Sequence, residues 1–289
     1  MADKAWERVS FQTAADKAPR EIDFCLPNLL AGGVGTVAAD AGIGKTSLLL
    51  QLGAAVAAGI PVAGDALPAP GVTGKVVFLA AEDPPQILER RVHFLLQSLT
   101  AQGYGNETLQ KLESQFHLFS LIGYAPKLVP VSELSAKTWD RLAAMAAGAR
   151  LLVLDPIRSF HLSDDQDYGQ MSLLFQILND IAGRCRCTIL FSHHVNRRSI
   201  GGQVEAGRRE SDAIEGLRAF VNPTRWVLNM RTMSQEEAKA HGVSDESRPN
   251  YVRVTIPKSN YGPPLDPFWL HRSKEFEGIF ESARLRVAD

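Results

Sequence analysis

Cysteine is scarce, with Cys25, Cys185 and Cys187 the three in 289 residues. So few thiols make no disulfide framework. Cys185 and Cys187 have no second thiol or histidine pair near them and do not complete a zinc set; Cys187 reads as a small apolar residue in a strand. An excess of charge of one sign is also lacking, since 31 Lys and Arg face 32 Asp and Glu for a net charge of −1. That excludes a strongly basic nucleic-acid binder at the level of the whole chain but leaves room for a local basic patch. Long apolar runs are missing too. The most apolar segment, Leu48 to Ala63, is broken by Gln51, Gly59 and Pro61 and is too short to span a bilayer. The opening Met1–Arg8 offers no apolar stretch for a signal peptide. The expectation is a soluble, cytoplasmic, reduced protein without a membrane partner. A hydrophobic content of 45% over this length is enough for a full core.

Short aliphatic runs alternate with helical spacing. Gly35–Ala39, Val76–Ala81, His117–Leu121, Leu151–Asp155 and Thr188–Ser192 read as buried strands, and Lys45–Ala58, Pro84–Thr100, Ala136–Ala147 and Gln170–Ala182 as helices. Strands apolar on both faces that alternate with helices predict an α/β fold with a mostly parallel sheet covered on both sides. Arg225–Arg231, Tyr251–Ile256 and Phe268–Arg272 follow with short polar links and predict an antiparallel extension. Residues 1–30, with Trp6, Phe11 and Phe24 as anchors, read as an arm that packs on its own domain or docks on a neighbouring subunit. Residues 31–272 form the core and 273–289 a short tail.

The strongest motif is Ala39-Asp40-Ala41-Gly42-Ile43-Gly44-Lys45-Thr46, set between a predicted strand and a predicted helix as a phosphate-binding loop requires. Gly42 and Gly44 let backbone N–H groups turn inward around phosphate oxygens at a helix N-terminus. The cradle runs from Ala41 to Ser47: Lys45 reaches the β- and γ-phosphates, and Thr46 offers its hydroxyl to Mg²⁺. Ala39 stands where the pattern has its first glycine, a position a small residue can fill. A nucleoside triphosphate, ATP with Mg²⁺, is the implied ligand.

Leu151-Leu152-Val153-Leu154-Asp155 matches the strand whose terminal aspartate holds Mg²⁺ through water. Pro156 follows where many ATPases place a catalytic glutamate, so the base must come from elsewhere. The strand ending in Glu82 and Asp83 supplies it: Glu82 is the expected base and Asp83 the alternative, unless Asp83 is a helix N-cap before Pro84. Thr188–His194 ends in His193 and His194, either of which is placed to sense the γ-phosphate. Beyond it the charge gathers. Arg184, Arg186, Arg197, Arg198, Arg208 and Arg209 face one acid, Glu205, in a stretch that includes Gly201, Gly202 and Gly207. Such a loop suits a single-strand backbone, with Arg197, Arg198, Arg208 and Arg209 the candidate contacts; a solvated arginine face is the plain alternative.

Taken together, Glu82-Asp83-Pro84-Pro85, Leu154-Asp155 with Arg158 and Phe160, Phe191-Ser192-His193-His194, Arg225-Trp226, Lys258-Ser259-Asn260-Tyr261-Gly262 and the Leu26-Pro27-Asn28 entry resemble the RepA-type hexameric helicases of IncQ-like plasmids, which are DnaB-like ATPases with a RecA-like fold. The resemblance runs from about Asp23 to Arg272. It implies Lys45 and Thr46 on phosphate and Mg²⁺, Glu82 as base, Asp155 at the metal, and His193 and His194 coupling hydrolysis to DNA. It also implies Arg225 as an arginine finger reaching a neighbouring subunit's γ-phosphate, with Lys258 a weaker candidate for the same interface. The expected assembly is a homo-hexameric ring that translocates 5′→3′ on single-stranded DNA to replicate a plasmid, phage or integrated element, any primase or initiator being a separate protein. A RecA-fold loader or regulator that binds DNA without unwinding is the alternative, and a nucleotide-binding assembly protein with no nucleic-acid role is a third. No arginine-rich lid follows the phosphate-loop helix, which argues against a small-molecule kinase.

Overall fold

A computed structural model describes residues 8–124, 126–130, 132–162, 167–194 and 223–285. In chain order its strands are β1 (Phe24–Leu26), β2 (Leu29–Leu30), β3 (Val34–Ala39), β4 (Val76–Ala80), β5 (Phe116–Ser120), β6 (Leu151–Asp155), β7 (Thr188–His194), β8 (Trp226–Thr232), β9 (Tyr251–Ser259), β10 (Phe268–Arg272) and β11 (Phe280–Ala283). The longer helices are α2 (Lys45–Ala58), α3 (Pro85–Ala101), α4 (Asn106–Gln115), α5 (Glu133–Ala146) and α6 (Tyr168–Cys185), preceded by a short α1 (Phe11–Asp16).

Nine strands form one sheet in the order β11-β10-β9-β8-β3-β7-β6-β4-β5. The run from β8 to β5 is parallel, and β9, β10 and β11 continue it antiparallel. The parallel strands are buried on both faces, and their side chains alternate between two cores. Val76, Phe78 and Ala80 of β4 pack with α2, α3 and α4, while Val77 and Leu79 pack with α5 and α6. Helix α2 is apolar nearly all round and correspondingly enclosed. It stops at Gly59, whose φ of 72° lets its N–H return to the Ala55 carbonyl.

Three expectations need correction. β8 belongs to the parallel part: Gly35 to Ala39 pair with Trp226 to Met230 in the same direction. The connection across 195–225 is long enough for the crossover a parallel neighbour demands; the reversal begins at β9. Helix α4 goes unread in the sequence because Asn106–Gln115 is mostly polar and buries Leu112. The chain after Arg272 is more than a tail, since β11 pairs with β10 and Phe280 is fully buried.

At the other end, residues 8–23 are exposed throughout, Phe11 at 93%, and Trp6 lies outside the described residues. From Phe24 the chain is fastened. Arg150 pairs with Asp23, Trp226 Nε1 donates to the Pro27 carbonyl at 3.0 Å, and Asn28 Nδ2 donates to the Pro263 carbonyl at 2.6 Å. The Leu26–Asn28 entry thus meets the segment Lys258–Gly262. Gly262 lies so close to the Asn28 side chain that a Cβ there would collide with it.

Candidate active site

Strand β3 ends at the carboxyl edge of the sheet, the edge where open α/β sheets bind ligands. The loop from Asp40 to Gly44 turns through two left-handed residues, Gly42 at φ 75° and Gly44 at φ 99°. Gly44 caps α2 without any side-chain hydrogen bond, so the first-turn N–H groups keep their capacity for an anion. Ile43 and Ser47 are buried, and Ala41 and Gly42 are exposed. Ala39, in the place of the usual first glycine, is buried level with His194 and Met230.

Lys45 is buried beneath this loop. Its Nζ donates to the carbonyls of Ala39 at 3.0 Å and Asp40 at 2.9 Å, and lies 2.9 Å from His194 Nδ1. Burial lowers its pKa to about 8, against the upward pull of Asp155, Asp40 and Glu82. Asp155 closes β6 fully buried. Desolvation raises its pKa, and hydrogen bonds from the Ser192 and Thr46 hydroxyls pull it back. Thr46 and Asp155 therefore share one buried spot with oxygen donors and one anionic group, which fits a hard divalent cation. Mg²⁺ there would bridge phosphate oxygens and neutralise charge developing on them.

The two carboxylates after β4 take different surroundings. Asp83 accepts from Arg91 Nε at 2.8 Å, and Arg91 also reaches Ser47 Oγ at 3.5 Å. The N-cap of α3 is Pro84, so Asp83 serves as an ion-pair partner and not as the cap. Glu82 has its pKa raised by burial and by the charges of Asp155 and Asp83, with Lys45 opposing. Strand β7 ends in the same place: its Ser192 holds Asp155. Burial drives His193 down to about 3, and burial and the Lys45 charge lower His194, so both rings are neutral. His194 must then carry its proton on Nε2 for Nδ1 to accept from Lys45.

The edge thus brings together Lys45, Thr46, Glu82, Asp155, His193 and His194. Ser192 and Arg91 belong to the same cluster, and sequence reasoning passed over both. The pairing of Leu154 with Phe191 places Asp155 beside Ser192, so aligning the strand ends was the signal for the serine. Arg225 stands elsewhere. It precedes β8 level with Val34, at the opposite edge, five residues from Ala39 along the pairing. At ~3.3 Å per residue that is about 16 Å from its own phosphate loop. Lys258 faces Val227 across the β8–β9 pair, and burial and then the Arg225 charge lower its pKa. Arg197, Arg198, Arg208 and Arg209 lie outside the described residues.

Residues 4–199, more than half of the chain, match the AAA_25 family, an AAA domain. The chain belongs to that family. Solved structures add the fold. The AAA_25 chain superposes on the ATPase domain of a helicase with a TM-score of 0.56 at 15% identity, covering 88% of this chain and 86% of that one. The RadB recombinase gives 0.50 at 15% identity, with 88% and 92% covered. Both share its mostly parallel sheet with added antiparallel strands, a RecA-like fold. No helix among the described residues is long and apolar enough to cross a membrane.

Proposed function

We propose that this AAA_25 chain is a ring-forming, ATP-hydrolysing motor on single-stranded DNA, a DNA helicase of the DnaB-like, RepA-type class. The observation that carries the reading is the division of the site. The groups that hold phosphate and metal gather at the carboxyl edge of the sheet, whereas Arg225 and Lys258 lie at the opposite edge, beyond the reach of their own loop. Subunits arranged head to tail would bring those cations to a neighbour's phosphates, and such heterologous contacts close into rings. Arg225 is then a finger in trans. In cis, Lys45 leaves its carbonyl and His194 contacts for the phosphates, Glu82 takes the proton of the attacking water, and Thr46 and Asp155 hold Mg²⁺. His193 and His194 stand at the start of the segment that carries Arg197, Arg198, Arg208 and Arg209, the DNA contacts of this reading.

The test is hydrolysis by the full chain with and without single-stranded DNA, followed by a forked-duplex assay. Hydrolysis that rises with protein concentration and with DNA, together with strand separation, supports the motor. DNA-stimulated hydrolysis without separation favours a loader or regulator. Hydrolysis indifferent to DNA and to concentration overturns the ring.

A further inference from the structure

Among the described residues six arginines are half-buried: Arg91, Arg150, Arg231, Arg248, Arg253 and Arg272. Five have a carboxylate partner, Arg91 with Asp83, Arg150 with Asp23, Arg231 and Arg253 with Glu237, and Arg248 with Asp245. Arg272 has none. Its Nη2 donates to the Gly42 carbonyl at 3.0 Å, and its Nε is buried without a hydrogen-bond acceptor. Its guanidinium carbon lies 6.0 Å from the centre of the Phe280 ring, weak compensation for a desolvated cation. Desolvation alone shifts its pKa, downward, with no neighbouring acid to oppose it.

The position is specific. Arg272 ends β10 and Phe280 begins β11, and the two residues pair directly. Phe280 is locked to α2 by Gln51, which donates from Nε2 to the Phe280 carbonyl at 2.8 Å and accepts the Phe280 N–H at 3.0 Å. The Phe280 ring lies against Gly44, and Arg272 Nε comes within 3.9 Å of the point where a Gly44 Cβ would sit. A strand pair fastened to the phosphate-loop helix thus holds an uncompensated guanidinium on the loop, where an anion is expected to arrive. A guanidinium has five N–H donors, and the Gly42 carbonyl accepts from one of its nitrogens.

We propose that Arg272 is a second cis cation of the nucleotide site, a binding residue whose counter-ion is the phosphate chain of the nucleotide. This rests on the nucleotide-site reading above. In it the Gly42 contact holds the guanidinium against the loop until the polyphosphate supplies the missing negative charge.

The test measures binding of inorganic tripolyphosphate, ATP and adenosine to the full chain by calorimetry without Mg²⁺. In Arg272→Gln, tripolyphosphate and ATP should both weaken about tenfold, the order expected from one charge-assisted hydrogen bond, with adenosine unchanged. Arg272→Lys, which keeps the charge and loses the fork, should recover part of the loss. A folded Arg272→Gln that binds tripolyphosphate like wild type overturns the proposal, as does an equal loss for adenosine, which would mark a contact to the base. Should Arg272→Gln not fold, the Arg272 Nε–H resonance, identified by its absence in Arg272→Lys, decides. A shift with tripolyphosphate supports the proposal and no shift overturns it. Wild-type protein that binds neither ATP nor tripolyphosphate would instead sink the nucleotide-site reading itself.

Discussion

Mixing two inactive variants separates a shared site from a self-contained one. Lys45→Ala removes the cation that belongs to a subunit's own phosphate loop, and Arg225→Ala removes the one assigned to its neighbour's. Each alone should hydrolyse ATP at background rate. About 16 Å of β3 and β8 separates Arg225 from its own loop, so each site must take its loop from one subunit and its finger from the next. In an equimolar random mixture half of the loops are intact and half of the neighbouring fingers are intact. About a quarter of the sites are then complete, and hydrolysis should return to roughly a quarter of the wild-type rate. Ordered firing around the ring lowers that yield without abolishing it. The assay is phosphate release after subunit exchange, with mixed assemblies verified by native mass spectrometry. Mixed rings no faster than the sum of their parents, or an Arg225→Ala variant with wild-type activity on its own, would refute the trans assignment.

Three further outcomes follow from the site. Asp155→Asn removes a fully buried carboxylate whose charge burial disfavours while keeping acceptors for Ser192 and Thr46. It should abolish hydrolysis yet raise Tm by roughly 2–4 °C, the shift expected for about 1 kcal/mol in a chain of this class, as read by calorimetry. Glu82 acts in its charged form and its pKa is raised by burial and by Asp155. Hydrolysis should therefore fall with acidification at a pH above the ordinary glutamate value of ~4.3, and Glu82→Gln should be inactive at every pH while still binding nucleotide. Gly44→Ala demands φ 99° of a residue with a Cβ and drives that Cβ to 2.8 Å from the Phe280 ring. A cost of about 1–3 kcal/mol in stability, seen as a lower Tm, should accompany loss of ADP binding measured by fluorescence.

Much of this was legible in the chain. Leu151–Asp155 and Lys45–Ala58 have the boundaries their patterns predict, because a fully buried strand needs an unbroken aliphatic run and the phosphate loop fixes where α2 begins. The clustering of Lys45, Asp155 and Glu82 follows from strand ends that share an edge. What stayed hidden depends on partners distant in sequence. Asp83 looked like a cap because Pro84 follows it, but Arg91 on the next helical turns claims its carboxylate. Phe280–Ala283 is too short and polar to announce a strand, and its reason for being one is Gln51, in a helix near the other end of the fold. The direction of β8 could not be read from its residues, since a strand's composition is silent about which way its neighbour runs.

The Gln51–Phe280 pair has a consequence for how the protein is made. The two residues are 229 positions apart, so on the ribosome the phosphate loop and α2 emerge long before the strand that walls them. Until β11 arrives, the Gln51 amide has neither its donor nor its acceptor partner and Gly44 has no ring against it. The nascent chain should therefore acquire its full grip on nucleotide late in synthesis, after most of the sheet has left the exit tunnel.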